Sequence, residues 1–315
     1  MNYFHPHGPI AALESHLGWW LMLVSVAVVA AISVLVVLGS WRGWRRGASI
    51  DRIEGGDART GMRWIYVGGL IIPSVILVFT MAFTLENLNA TTRPRRADNL
   101  TIHIVAHRWW WEVRYEGSPA LDSVVTANEI HIPVGTPVKV LLSSADVVHS
   151  FWIPQLAGKT DVNPGSVNVA WLQADSVGTY RGQCTEYCGL QHANMAAYVV
   201  ADSAAAFRAW LAAQQTSVEP AVTDETRRGA ADVLQGTCAG CHTIRGTSAR
   251  GGVGPDLTHL ASRATIGAGA LANTRGNLAG WIANAQAIKP GSQMPAMRLT
   301  PRELHDVVAY LETLR

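Results

Sequence analysis

Charge is scarce in this chain: only 15% of its 315 residues are Asp, Glu, Lys or Arg, while 49% are apolar. Ordinary soluble domains carry roughly a quarter charged residues. The scarcity excludes a disordered chain, which needs high charge and few apolar residues. A formal net charge of +2 excludes a basic nucleic-acid binder, because affinity for phosphate needs Lys and Arg concentrated on one face. Cysteine is scarce too. Four cysteines in 315 residues cannot act as a disulfide framework, and they fall in two tight pairs, Cys184 with Cys188 and Cys238 with Cys241, a clustering that points to metal or cofactor chemistry. Lys and Arg are absent from residues 1–17, so the basic n-region of a secretory signal is missing and the first apolar run is expected to be retained.

Long apolar runs, by contrast, are present. Gly18 to Leu38 and Trp64 to Thr84 each hold 21 residues without a charge, enough at ~1.5 Å per residue to cross a ~30 Å hydrocarbon core. Neither shows the polar stripe of a soluble core helix. Trp19, Trp20 and Trp41 flank the first run and Trp64 opens the second, as interfacial aromatics do. The loop between them carries Arg42, Arg45, Arg46, Arg52, Arg59 and Arg63, which predicts a cytoplasmic loop with both termini on the outer side. Arg93, Arg95 and Arg96 follow the second run and oppose that bias, but long domains translocate largely regardless of charge.

From Asn99 to about Asp202 the pattern changes to short alternating or β-branched runs: Leu100 to Val105, Trp109 to Tyr115, Glu129 to Ile132, Val138 to Leu142, Val167 to Leu172 and Tyr198 to Val200. Turn residues such as Pro133-Val134-Gly135 and Asn163-Pro164-Gly165 separate them, which predicts a sandwich or barrel. Within this region stands Cys184-Thr-Glu186-Tyr-Cys188-Gly-Leu-Gln-His192-Ala-Asn-Met195, with His149 upstream. Two thiolates, two imidazoles and a thioether are a soft donor set that suits copper. One Cys, two His and a weak Met serve a single copper; the second Cys supplies the extra thiolate needed to bridge two. Shared sulfur spreads one electron over both metals and keeps the geometry nearly constant on reduction, which suits electron transfer. A disulfide, or a structural zinc with His149 and His192, are the alternatives. Neither accounts for Met195 three residues after His192 or for Glu186 between the cysteines.

Ser203 to about Gln214 reads as an Ala-rich closing helix, and Thr216 to Thr223 as a linker. Beyond it, Cys238-Ala-Gly-Cys241-His242 is the attachment pattern of c-type haem, in which two thiols add to the vinyl groups and the adjacent imidazole ligates iron. A thioredoxin-like motif or half a zinc ribbon are the rivals, but no βαβ context accompanies the pair and no cysteine follows Cys241. The sixth ligand is expected from Met294, directly before Pro295, with Met297 as competitor. An opening helix is expected near Glu225 to Gln235, and Pro255 in Gly254-Pro255-Asp-Leu257 is expected to line the haem near His242, or to serve only as a turn former. Thr300-Pro301-Arg302-Glu303 is a capping box with Pro at the first turn. It opens a closing helix whose apolar face, Leu304, Val307, Val308 and Leu311, should pack on the opening helix.

The copper motif, with Asp146-Val-Val-His149-Ser, Lys159-Thr-Asp161, Pro164-Gly165 and the two apolar helices, resembles subunit II of the haem-copper cytochrome c oxidases over roughly residues 18–202. Residues 224–315 resemble a class I cytochrome c domain. The first resemblance implies a CuA centre bound through the side chains of His149, Cys184, Cys188, His192 and Met195 and the backbone carbonyl of Glu186. It also implies that the Glu186 side chain reaches a magnesium ion at the border with subunit I. His107-Arg-Trp109-Trp-Trp111 looks like the family stretch Gly-His-Gln-Trp-Tyr-Trp, whose first Trp lies where electrons arrive from cytochrome c. The matching residue is Trp109, and the chain departs there with Ala106, Arg108 and Trp110. Core and interface packing is the competing role for Trp110 and Trp111. Pro73 matches the family's mid-helix proline, but no acid lies between Trp64 and Leu85, where many members carry a Glu, so a part in proton uptake is unsupported.

The implied whole is a multidomain membrane protein. A transmembrane hairpin occupies residues 1–98, an all-β cupredoxin domain 99–215, a linker 216–223 and an all-α class I cytochrome c domain 224–315. Electrons from cytochrome c or another periplasmic donor would pass through haem c, held by Cys238, Cys241, His242 and Met294, and then the dinuclear copper to subunit I. Oxygen reduction to water and proton translocation belong to that partner, since no histidine lies between Leu17 and His103. The expected location is the bacterial inner membrane, with the metal domains on the periplasmic side, in contact with lipid and other oxidase subunits and with no nucleic acid. A copper subunit of a nitric oxide reductase and a stand-alone tethered electron carrier are the alternatives. A quinol oxidase subunit is disfavoured, because that branch lacks the copper ligands.

Overall fold

The structure, a computed structural model, describes residues 2–45, 58–92, 100–116 and 124–315. Arg46, Arg52, Arg93, Arg95, Arg96 and the domain start expected at Asn99 lie outside the described residues. The chain divides into two compact units, Leu13–Arg93 and Met1–Ala12 with Pro94–Arg315.

Helix α1 (Pro9–Arg45), which belongs to the first unit from Leu13 onward, is 37 residues long and overruns the expected span at both ends. The second apolar run is not one regular helix. Helix α2 (Ala58–Trp64) passes into a π-helical turn, Ile65–Ile71, and resumes as α3 (Ile72–Thr92). Pro73 explains the irregularity: it has no N–H to donate, and its ring crowds the carbonyl four residues earlier, at Gly69. The π turn opens the helix there, with the Ile72 N–H bonded to the Val67 carbonyl. Both helical stretches are apolar enough to cross a membrane, each holding an 18-residue segment of mean hydropathy 3.0 and 2.2 respectively, and their large apolar side chains are exposed all round, as lipid-facing helices are.

The second unit begins with a β-sandwich of ten strands. One sheet runs β3 (Val125–Ala127), β2 (Trp110–Glu116), β1 (Thr101–His107), β5 (Val138–Ser144), β8 (Asn168–Leu172). The other runs β4 (Glu129–Pro133), β10 (Ala196–Asp202), β9 (Gly178–Cys184), β6 (His149–Trp152), β7 (Thr160–Val162). Alternation explains the core: Ile102, Ile104, Val113, Tyr115, Val140 and Leu142 point inward from one sheet, and Ile130, Ile132 and Val199 from the other. Trp111 is fully buried, in the packing role weighed for it, whereas Trp110 is half-buried and stacks on His107 at 4.4 Å. Strands β3, β6, β7 and β9 have no counterpart among the runs read from sequence: β3, β6 and β7 are only three or four residues long, and β9 alternates in burial but places Gly182 and Cys184 on its inner face instead of large apolar residues.

Helix α4 (Ala204–Gln214), capped by the Ser203 side chain, closes the sandwich. After residues 215–223 come α5 (Asp224–Gln235), α6 (Arg275–Ile288) and α7 (Pro301–Leu311). Both halves of the Thr300/Glu303 capping box form. Helix α7 crosses α5 at Gly229, where an added Cβ would sit 1.9 Å from the Asp306 carbonyl oxygen. Arg228 donates to the Asp306 carboxylate at the same crossing. Two short strands, β11 (Thr265–Ile266) and β12 (Leu271–Ala272), interrupt the otherwise helical domain.

Candidate metal centres

The first centre forms where three strand ends meet. Strands β9 and β10 are antiparallel neighbours, with Gln183 opposite Ala196, so residues 185–195 form a loop returning on itself, closed by the Cys184 N–H on the Met195 carbonyl. Strand β6 lies on the other side of β9, with Phe151 opposite Cys184, which brings His149 to the same end. Cys184 Sγ stands 3.8 Å from Cys188 Sγ, 3.8 Å from His149 Nδ1 and 3.3 Å from the Glu186 carbonyl oxygen. Cys188 Sγ stands 3.6 Å from His192 Nδ1 and 3.9 Å from Met195 Sδ. Each sulfur therefore has its own imidazole. All four cysteines are free, and the Cys184–Cys188 separation is well beyond the ~2.05 Å of a disulfide bond. Glu186 turns its carbonyl to the cluster while the residue itself is exposed.

Electrostatics and hydrogen bonds fix the protonation of these groups. The two thiols are coupled through their contact: with help from His149 it drives the Cys184 thiol far down, and with burial it drives the Cys188 thiol far up. His149 is 0% exposed, and its Nε2 lies 2.9 Å from Asp146 Oδ1, so the carboxylate holds the proton on Nε2 and leaves Nδ1 facing the sulfur. Burial pushes the Asp146 carboxyl up, but His149 and the N–H groups of Val147 and Arg108 outweigh it and hold the carboxyl below its usual range.

The second centre is a cavity of about 210 Å³, lined among others by Cys238, Cys241, His242, Pro255, Met294 and Met297. His242 Nδ1 donates to the Pro255 carbonyl at 2.7 Å; a carbonyl only accepts, so the free lone pair is on Nε2. Burial pushes the His242 imidazole down, keeping it neutral. The ring lies against Gly254, where an added Cβ would sit 2.6 Å from Cε1. Met294 and Met297 both pack against the core of this domain.

Residues 116–202 match the family described as cytochrome c oxidase subunit II, periplasmic domain, and residues 227–315 the family described as cytochrome c. A cytochrome c oxidase subunit 2 from Alkalihalophilus pseudofirmus is 30% identical over 302 residues, covering 93% of this chain and 86% of the relative. The chain belongs to the cytochrome c oxidase subunit 2 family. Its counterpart from Bacillus sp. (strain PS3) is 29% identical over 258 residues, covering 78% of this chain and 70% of that one. The crystal structure of the periplasmic domain of subunit II of cytochrome oxidase of Bradyrhizobium japonicum matches at TM-score 0.35 and 28% identity, over 39% of this chain and 97% of that one. As a member of this family the chain is a membrane-anchored component of a haem-copper oxidase, an oxidoreductase complex, and its two matched domains imply CuA copper and haem c.

The residues present fit both groups. The first centre offers two sulfurs, two imidazole Nδ1 atoms, a thioether and a carbonyl. At the second, the buried Arg263 lines the cavity, donates to the Asp256 carbonyl and leaves its Nε without a partner. A buried cation with a spare donor suits a carboxylate such as a haem propionate.

Of the two residues between the centres, Trp109 was singled out from the sequence and Lys289 was not. Trp109 is buried, and its Nε1–H donates to the Cys188 carbonyl at 2.9 Å. Its ring packs on Gly189 (φ +112°), where an added Cβ would sit 3.1 Å from Cζ2, and the same residue lines the haem-domain cavity. Lys289 lies beside it, buried enough that its ammonium is pushed down to about 7. Neither its length nor its neighbours in sequence mark Lys289 out. The Asp146 role had a signal, the three-residue spacing to His149.

Proposed function

We propose that this chain is the electron-transfer subunit of a cytochrome c oxidase. In this reading it takes electrons from a c-type cytochrome donor and delivers them to subunit I, the site of oxygen reduction and proton translocation. His149, Cys184, Cys188, His192 and Met195, with the Glu186 carbonyl, would hold dinuclear copper. Cys238 and Cys241 would tether haem c, His242 and Met294 would ligate its iron, and Pro255 would orient His242. Bound there, each group supplies reversible one-electron exchange. The observation that carries the reading is Trp109, whose indole reaches from the haem-domain cavity to the backbone of copper ligand Cys188. In the family stretch that it resembles, this tryptophan lies where electrons arrive from cytochrome c; here the chain's own haem domain covers it, which supports delivery through haem c. The exposed Glu186 side chain leaves a magnesium contact with subunit I open to it. The arginine bias supports placing both centres on the periplasmic side of an inner membrane, with lipid around the two helices.

Replacing Cys184 or His192 in the assembled oxidase tests the assignment. Oxygen uptake with reduced cytochrome c should be abolished while haem c still reduces. Oxygen uptake that survives either replacement would remove copper from the route, and nitric oxide turnover without oxygen uptake would move the chain to a reductase.

A further inference from the structure

Lysines are seldom buried without a partner, yet Lys289 is only 2% exposed. It caps the C-terminal end of α6, and its ammonium donates 2.7 Å to the Trp109 carbonyl, 2.7 Å to the Asn194 carbonyl and 2.9 Å to the Gly267 carbonyl. Those are all three donors a lysine has. Two of the acceptors belong to the sandwich and one to the haem domain, so the ammonium is shared across the contact between them.

The acceptors are not arbitrary backbone. Trp109 is the residue whose indole bonds the Cys188 carbonyl, and Asn194 directly precedes Met195 in the copper loop. Residues adjoining Lys289 reinforce the same contact: the Gln191 side-chain amide donates to the Pro290 carbonyl at 2.9 Å, and an added Cβ on Gly291 would sit 3.5 Å from the Trp109 ring. Further along, the Ala196 N–H bonds the Ala268 carbonyl and the Ala264 N–H bonds Glu129. Trp109 is thereby held from both sides, by the copper loop and by the segment that follows α6.

We propose that Lys289 is a positioning residue for electron transfer between the two centres, its ammonium clamping the haem domain onto the copper loop with Trp109 fixed between them. The proposal rests on the cofactor assignments given above. The step it serves oxidises the haem iron by one electron and reduces the copper pair by one, with no atom or proton exchanged. Its rate is then governed by the packing and distance between the centres, which the clamp sets from the wall of the haem-domain cavity that Lys289 itself lines.

The experiment uses the whole oxidase with both cofactors bound. In Lys289→Met, which keeps the apolar stem and removes the donors, haem c should reduce at the wild-type rate. Its electron should reach copper more slowly, on the order of tenfold, as expected when a charge-assisted hydrogen bond is lost from the docked state. Lys289→Arg, retaining charge and donors, should recover most of that loss. An unchanged transfer rate in Lys289→Met, or no recovery in Lys289→Arg, would overturn the clamp. Amine acetylation of the wild-type complex gives a readout independent of turnover and of any variant. Exposed Lys159 should label while Lys289 is protected, and equal labelling overturns the proposal even if Lys289→Met does not assemble. Copper and haem contents of the same preparations test the cofactor assignments separately, since the clamp can fail with both contents intact.

Discussion

Asp146 shows how much a single side chain beyond the ligands decides. It accepts from His149 Nε2 and from the backbone N–H groups of Arg108 and Val147, so one carboxylate fixes the tautomer of His149, a proposed copper ligand, and ties it to the strand end that carries Trp109. Loss of such an orienting group typically costs ~10–100-fold in metal affinity. Asp146→Ala should therefore lose copper to a competing chelator at correspondingly lower chelator concentration, while covalent haem is retained. Wild-type copper retention would show that the strand geometry alone orients His149. At this scale the ligand types and their spacing were legible in the sequence. Arg263 and Lys289 were not, because a buried cation is recognised by what surrounds it and nothing adjacent in the chain supplies that.

At the scale of elements, the haem domain depends on a close crossing of α5 and α7. The capping box and the apolar stripe of α7 are sequence properties, and both appear in the structure, with Val307, Val308 and Leu311 buried. Gly229 is what permits the approach, its missing Cβ taken up by the Asp306 backbone. Gly229→Ala gains helix propensity on α5, but backbone must move to admit the methyl, and overpacking of this kind costs about 1–3 kcal/mol. Calorimetry of the variant should show a lower Tm for the haem domain; a raised Tm would mean that α7 can shift freely. The π turn before Pro73 and strands β6 and β9 belong to this scale too. The proline was visible, but the form of the irregularity depends on how the backbone redistributes its hydrogen bonds. The pairing of β6 with β9, which carries His149 to the cysteines, joins segments far apart in the chain.

For the whole molecule, the two centres sit in separately folded parts of one unit, each with its own core. Their chemistry should then be separable. Replacing both Cys238 and Cys241 with Ser should eliminate covalent haem, yet leave the copper content at its wild-type value. Electron delivery from cytochrome c should fall, while a small-molecule reductant still reduces the copper. Loss of copper along with haem would show that the copper loop needs the docked haem domain to form.

Sequence alone determined the chemistry of each centre and the presence of two apolar helices, because these are carried by residues a few positions apart on a continuous backbone: Cys184 to Met195, Cys238 to His242, Gly18 to Leu38 and Trp64 to Thr84. Only the tertiary structure decided how the centres face each other. The acceptors around the Lys289 ammonium lie 180, 95 and 22 residues away along the chain, and the Trp109 indole meets a carbonyl 79 residues away. Backbone carbonyls are chemically identical at every position, so the choice among them is made by packing and desolvation, which a linear pattern of residue types does not encode.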